Sequence, residues 1–232
     1  MLMKQLIFFD IDGTLTRTQN GYLPFNEAVF KTFGINGDIR SVIPDGNTDP
    51  RIVEDIFAQA SVKLAIDDGQ WAEFSIILRD CYSNAVSQGA TTIRALPGAA
   101  ALLRQLSEED KFICSVVTGN LESMATVKLQ TAGLSSYLCR GAYGSDSPRR
   151  PDLPLIAKQR CEQLSRGSIA LDRCIVVGDT PRDLEAARQN DMKCILVGTG
   201  RYPMEELMLS KPDHCLPDLS DTAEVMKALA SL

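Results

Sequence analysis

Two carboxylates close together at the end of an apolar segment are the residues of this chain best suited to chemistry. Asp10 and Asp12 follow the apolar residues 6–9 and precede Gly13 and Thr14. An apolar run without alternation is typical of a strand buried on both faces of a parallel sheet, and ligands bind outside the carboxyl ends of such strands. Because burying carboxylates without a cation is costly, the pair indicates a bound metal, a shared proton or exposure to water. Taken by itself, the segment could also be a strand with an ordinary Asp-Gly turn.

A second apolar run, residues 112–117, also ends in polar residues. It leads into Thr118, Gly119 and Asn120, a hydroxyl group and a turn that can present backbone N–H groups before a helix. Such a turn can bind an oxyanion or a phosphate, although a simple helix cap has the same composition.

A third run, residues 174–178, leads into Asp179 and a helix start at Pro181, with Asp183 one turn beyond Asp179. These two carboxylates could merely offset the dipole of the helix N-terminus. Three polar clusters that each follow a buried strand nevertheless predict one site at the edge of a parallel sheet.

These segments resemble the motifs of the haloacid dehalogenase superfamily, on its phosphatase side and nearest the phosphoglycolate-phosphatase-like group. Residues 10–14 match the first motif, Thr118 the second and residues 178–183 the fourth, and the likeness extends over essentially the whole chain. The third motif is usually a lysine followed by proline, and here Arg150 stands in that place. Lys158, two helical turns further on, is the alternative. We favour Arg150, because arginine stays charged and binds phosphate and carboxylate through a fork of donors.

The resemblance implies a Mg²⁺-dependent phosphatase that acts on a small phosphorylated metabolite through an aspartyl phosphate. In this interpretation Asp10 is the nucleophile, Asp12 is the acid and base, and Thr118 and Arg150 stabilise the phosphoryl group. The implied metal ligands are the carboxylates of Asp10 and Asp179 and the backbone carbonyl of Asp12, with Asp183 behind them fixing a metal-bound water or Arg150.

Two other functions remain open at this stage. A phosphomutase of the same superfamily has similar motifs, and a non-catalytic protein could bind a phosphorylated ligand and report it by cap closure. Asp12 argues against the second possibility, since a binding protein needs no acid for a leaving group. The candidate substrate-binding residues are Gly119, Asn120, Arg17, Thr48 and Arg51. For Arg17, Thr48 and Arg51, a capped helix and solvated arginines are the alternative interpretation.

The fold class expected from the order of elements is α/β, a Rossmann-like doubly wound parallel sheet with an inserted α-helical cap. About a hundred residues separate the first two strands, far more than a parallel crossover needs. Apolar residues at helical spacing between them indicate a small bundle. We expect the catalytic core to comprise residues 1–15 and 92–232, and the cap residues 16–91, with helices from residue 16 onward and Asp49 capping one of them.

Composition restricts the class of protein and its partners. A net charge of −6 argues against nucleic acid or an anionic membrane as the partner, and 44% hydrophobic content is ordinary for a globular protein. Asp10 and Asp12 interrupt the apolar start of the chain, so we expect no signal peptide. Seven scattered cysteines are typical of reduced core residues, and the single His214 is expected to be structural. We therefore expect a cytoplasmic monomer or small homo-oligomer.

Overall fold

The computed structural model describes residues 4–63 and 65–232, and its centre is a six-stranded sheet in which all neighbouring strands are parallel. In spatial order the strands are β5 (Cys139–Ala142), β4 (Phe112–Val117), β1 (Gln5–Phe9), β6 (Cys174–Gly178), β7 (Lys193–Val197) and β8 (His214–Leu216). The strand β1 lies in the middle, between β4 and β6. The predicted α/β class is confirmed, and the three strands that carry the motifs are immediate neighbours.

Helices cover both faces of this sheet. They are α4 (Ala99–Ser107), α5 (Glu122–Thr131), α6 (Leu153–Ser165), α7 (Pro181–Arg188), α8 (Met204–Leu209) and α9 (Thr222–Ala230). Alternate residues of β1 enter opposite cores: Ile7 and Phe9 pack with α4, α5 and α9, whereas Leu6 and Phe8 pack with α6, α7 and α8. Every residue of β1 is buried, as the unbroken apolar run predicts.

The described residues between 20 and 91 include three α-helices: α1 (Tyr22–Phe33), α2 (Asp49–Gln59) and α3 (Asp68–Ser87). Their apolar residues form a third core, in which edge-to-face aromatic contacts join Phe25 to Phe74 and Phe33 to Trp71. The helical stripes expected from the sequence therefore pack as a bundle core. The division of the chain at residues 15/16 and 91/92 stays a prediction.

The expectation that helix begins at residue 16 is wrong. Residues Thr16–Gln19 form β2, which pairs antiparallel with β3 (Thr92–Ala95). The sequence Thr-Arg-Thr-Gln has no apolar alternation, and its partner strand lies more than seventy residues away along the chain. The two-stranded ribbon leads the chain out to the three helices and back, which positions them over the carboxyl end of the sheet.

The structure also locates the single histidine and the seven cysteines. His214 lies in the edge strand β8, where its Nε2 is 2.8 Å from the Ser231 hydroxyl. All seven cysteines are free thiols. Across the residues that the structure describes, no helix combines the length and the apolar character needed to cross a membrane.

Candidate active site

Asp10, Thr118 and Asp179 are the first residues after β1, β4 and β6, so the parallel sheet brings all three to one edge. Each is at most 5% exposed. They line a cavity of about 680 Å³, which extends from the sheet edge to α1 and α2. The convergence predicted from the three polar clusters is what the sheet produces, because parallel strands end at the same edge.

A buried cluster of charges occupies the floor of this cavity. One carboxylate oxygen from each of Asp10, Asp179 and Asp183 lies within 4.8 Å of the other two. Arg150 Nη2 lies 3.0 Å from Asp10 Oδ1 and 2.5 Å from Asp183 Oδ1. With all groups ionised, three carboxylates and one guanidinium leave two negative charges in a site that water scarcely reaches.

The pKa values of these groups reflect that imbalance. Burial raises the pKa of Asp10 to about 6, although the guanidinium of Arg150 opposes the rise. Burial and the nearby charges of Asp10 and Asp183 raise the pKa of Asp179 to about 9. For Arg150, burial works against the charge, but the two carboxylates outweigh it, so its pKa lies above its ordinary value. The raised pKa values of Asp10 and Asp179 therefore indicate that the cluster lacks positive charge.

Two glycines leave space for the Asp179 carboxylate. A Cβ atom added to Gly200 would lie 1.7 Å from Asp179 Oδ2, and one added to Gly13 would lie 2.4 Å from the same oxygen. Gly13 also has φ +80°, a conformation that favours glycine. The other oxygen, Oδ1, accepts a single hydrogen bond from the described residues, a long one of 3.3 Å from the Thr14 hydroxyl. The two glycines therefore leave room for the Asp179 carboxylate, and few protein groups donate hydrogen bonds to its oxygens.

Asp183 is bound differently from the other two carboxylates. Its Oδ1 accepts from Arg150, and its Oδ2 accepts from the N–H and the hydroxyl of Thr180, at 3.0 and 2.8 Å. This arrangement closes the first turn of α7. Because both oxygens are already used, Asp183 fits the predicted role behind the metal ligands, where it fixes Arg150.

The donor set suits a hard divalent cation. Asp10 and Asp179 offer carboxylate oxygens, the net charge is negative, and the cluster contains neither histidine nor thiolate. Oxygen ligands of this kind are those that Mg²⁺ and similar ions prefer.

A second polar network surrounds Asp12. Asp12 Oδ2 accepts from Asn120 Nδ2 at 2.8 Å and from Lys128 Nζ at 2.5 Å. Asn120 also donates to the Thr118 hydroxyl oxygen at 2.7 Å and accepts from Lys128 at 2.7 Å. The side chain of Asn120 lines the cavity and is engaged with these protein groups, so its part in substrate binding stays a prediction. Its role is to connect Asp12 with Thr118.

Lys128 is the site residue that sequence reasoning missed. It lies on α5, and its side chain is only 7% exposed. Met124, Ala125 and Leu129 are buried on the same helix, and so is Leu121 at its N-cap, so Lys128 occupies a core-facing position of the helical pattern. A lysine at such a position was the signal that could have found it.

The start of α2 and the residues before it contact the loop after β4 and the segment around Arg150. Asp49 Oδ2 accepts from the N–H of Leu121 at 2.8 Å, and the N–H of Asp49 donates to the carbonyl of Gly119 at 2.7 Å. Arg150 Nη1 donates to the carbonyl of Gly46 at 3.3 Å. The expectation that Asp49 caps α2 is wrong, because Thr48 is the capping residue and Asp49 is turned towards the core.

The predicted substrate contacts divide into two groups. Arg17, Gly119 and Asn120 line the cavity, and the Arg17 guanidinium donates to the carbonyl of Thr199. Thr48 and Arg51 do not line it: the Thr48 hydroxyl donates to the carbonyl of Pro148, and Arg51 is an exposed partner of acidic residues on α2. Capping and surface pairing account for these two side chains, so we remove both from the proposed site.

Lys158, the alternative cation of the third motif, lies on α6 and pairs with Glu162 at 2.6 Å. Its side chain is 14% exposed, so it does not lie on a solvated face. Arg150 is the cation that contacts Asp10. The geometry therefore favours Arg150.

Known proteins resemble this chain over nearly its whole length. A family model described as haloacid dehalogenase-like hydrolase matches residues 4–191. The probable phosphatase IndB of Dickeya dadantii is 26% identical, over 99% of this chain and 96% of the relative. The phosphoglycolate phosphatase of Synechococcus elongatus is 26% identical, over 97% of this chain and 98% of the relative. A hydrolase from Pseudomonas syringae has the same fold, with a TM-score of 0.69 and 23% identity over 97% of this chain and 98% of that one.

Proposed function

This chain belongs to the haloacid dehalogenase-like hydrolase family, and we propose that it is a Mg²⁺-dependent phosphatase that hydrolyses a small phosphate monoester through an aspartyl phosphate on Asp10. The observation that carries the proposal is the contact of the buried Asp10 with Arg150, beside Asp179 and at the cavity that Asp12 and Thr118 also line.

The charges explain why a cation belongs in the reaction. A phosphate monoester and an ionised Asp10 are both negative, so their approach is unfavourable without positive charge between them. Asp10, Asp179 and the backbone carbonyl of Asp12 would hold Mg²⁺, which when bound neutralises this repulsion. The two net negative charges of the ionised cluster support a divalent ion.

Each residue of the site then has its own role in the reaction. A carboxylate oxygen of Asp10 attacks phosphorus, and the bond from phosphorus to the leaving-group oxygen breaks. Asp12 gives its proton to that oxygen and later takes a proton from the water that cleaves the aspartyl phosphate. The Thr118 hydroxyl oxygen already accepts from Asn120, which leaves its proton for a phosphoryl oxygen. Arg150 keeps Asp10 oriented and stabilises the charge that develops on the transferring group.

The substrate is proposed as a class. A cavity of about 680 Å³ is of the size that encloses small metabolites, and Arg17 offers a cation at its wall. The Synechococcus relative is named a phosphoglycolate phosphatase, which makes phosphoglycolate the first ester to test.

The test is release of inorganic phosphate from a panel of sugar phosphates, nucleotides and phosphoglycolate with Mg²⁺. We expect turnover by the wild-type protein and none by Asp10→Asn, because the amide is isosteric but not nucleophilic. Asp110→Asn, at an exposed position before β4, is the matched control and should keep full activity. A base-labile phosphoryl group on the wild-type protein, acquired from radiolabelled substrate, should be absent from Asp10→Asn.

Three outcomes would change the proposed function or its mechanism. Transfer of the phosphoryl group to a second hydroxyl of a sugar phosphate, with little free phosphate, would indicate a phosphomutase. Binding of phosphorylated ligands without turnover of any ester would indicate a non-catalytic binding protein. Normal phosphate release by a folded Asp10→Asn protein would rule out the covalent mechanism.

A further inference from the structure

A buried lysine contacts the proposed acid–base residue. Lys128 Nζ lies 2.5 Å from Asp12 Oδ2 and 2.7 Å from Asn120 Oδ1, and its side chain is 7% exposed. Transferring an ammonium group from water to such a position costs several kcal/mol unless charged and polar partners compensate. An apolar side chain would fill this face of α5 without that cost, so packing alone does not explain a lysine here.

The contacts on Asp12 are one-sided. Oδ2 accepts from both Lys128 and Asn120, whereas Oδ1 accepts no hydrogen bond from the residues that the structure describes. Asp12 is followed by Gly13 in the left-handed conformation, and its side chain is 43% exposed to the cavity. Without Lys128, Asn120 would be its sole side-chain partner among these contacts.

We propose that Lys128 is a positioning residue for Asp12, which holds Oδ2 as a hydrogen-bond acceptor so that Oδ1 carries the proton to the leaving-group oxygen. The inference rests on the proposed phosphatase function. The proton balance is simple: the bond from phosphorus to the leaving oxygen breaks, the bond from phosphorus to Asp10 forms, and the Oδ1 proton moves to the departing oxygen. Lys128 neither gives up nor gains a proton in this step.

The position of Lys128 in the network explains why Asn120 alone is insufficient. Asn120 Nδ2 is shared between Asp12 Oδ2 and the Thr118 hydroxyl oxygen, and Asn120 Oδ1 accepts from Lys128. The lysine therefore fixes the amide and the carboxylate together. Removing it releases both Asp12 and the amide that orients Thr118.

Leaving groups of different basicity provide the test. An alkyl phosphate such as β-glycerol phosphate needs a proton on its departing oxygen, whereas para-nitrophenyl phosphate has a stable phenolate as leaving group. We expect Lys128→Met to lower kcat/KM for the alkyl ester by about a hundredfold or more, and for the aryl ester by less than about tenfold, the range of lost general acid catalysis. The quantity kcat/KM is used because it reports the steps up to formation of the aspartyl phosphate.

Reference variants make the result specific. Asp12→Asn should show the same selective loss, and Lys128→Met should add little when Asp12 is already asparagine, since the effect passes through Asp12. Lys193→Met is the matched control: this lysine on β7 pairs with Asp213 at 3.5 Å, and both esters should be cleaved at the wild-type rate.

Each outcome decides the inference. An equal loss for both esters would overturn it, as would a full additional loss from Lys128→Met in the Asp12→Asn background. If Lys128→Met lacks the wild-type circular dichroism spectrum, Lys128→Gln, which is polar but uncharged, is measured in the same way. If the wild-type protein releases no phosphate from either ester, the proposed function fails and this inference fails with it, a result distinct from an equal loss.

Discussion

Replacing Arg150 by alanine tests the charge balance of the site most directly. Its guanidinium lies 3.0 Å from Asp10 and 2.5 Å from Asp183, and the three side chains are 6%, 6% and 0% exposed. Removing one partner of such a buried pair costs about 3–5 kcal/mol, because the remaining charges stay buried without compensation. Losing stabilisation of the transferring phosphoryl group lowers kcat by about a hundredfold or more.

The assay is phosphate release under saturating substrate and Mg²⁺, together with urea unfolding of each variant. Arg150→Lys should restore kcat to within roughly tenfold of wild type, since it keeps the charge beside Asp10 and Asp183 but loses the second donor, Nη1, which binds the carbonyl of Gly46. Lys158→Ala is the control variant, because Lys158 is a cation on α6 that pairs with Glu162. Because Glu162 also accepts from the N–H of Ile169, we expect a change of about 0.5–1 kcal/mol in stability and little change in rate.

The opposite pattern of activities would contradict the role given to Arg150. If Lys158→Ala is inactive while Arg150→Ala keeps its rate, the cation of the third motif has been misassigned. If Arg150→Ala loses stability but keeps kcat, the guanidinium serves the fold and not the phosphoryl group. A rate lost together with the fold is resolved by Arg150→Lys, which should fold and turn over.

Three further predictions concern the metal, a glycine and a buried acid. Chelation should abolish activity and Mg²⁺ should restore it, while Ca²⁺, which prefers more ligands and longer bonds, should inhibit; full activity in excess chelator would refute the ligand set. Gly200→Ala should weaken Mg²⁺ activation at least about tenfold, because its Cβ would lie 1.7 Å from Asp179 Oδ2. Gly167→Ala should not, because its Cβ would make an ordinary contact 3.9 Å from the carbonyl oxygen of Ser165; equal activation curves for the two variants would contradict this. Burial raises the pKa of Asp49 from 3.8 to about 6, so its stabilising contribution is complete below about pH 4 and is lost as the pH rises through about 6. Asp49→Asn should therefore be more stable than wild type by up to about 3 kcal/mol at neutral pH and not at about pH 4, and a pH-independent difference in unfolding free energy would refute this.

The sheet and the positions of the main carboxylates can be predicted from the local sequence pattern. Buried strands leave a local mark, an unbroken apolar run, and the residues after each run are fixed by chain connectivity. Parallel strands end at one edge, so Asp10, Thr118 and Asp179 had to converge once the sheet was inferred. The helical bundle between β2 and β3 could also be predicted locally, since its apolar spacing follows the helical repeat.

The contacts that these residues make depend on how the elements pack in three dimensions. Lys128 meets Asp12 across 116 positions of sequence, and Asp49 meets the N–H of Leu121 across 72. Thr48 and Arg51 have the composition of a substrate loop, yet one caps a helix and the other pairs on the surface. The strand β2 forms by pairing with β3, which is distant in the sequence. The reason is physical: periodicity and connectivity are local, whereas long polar side chains meet through the docking of helices, which the sequence pattern does not specify.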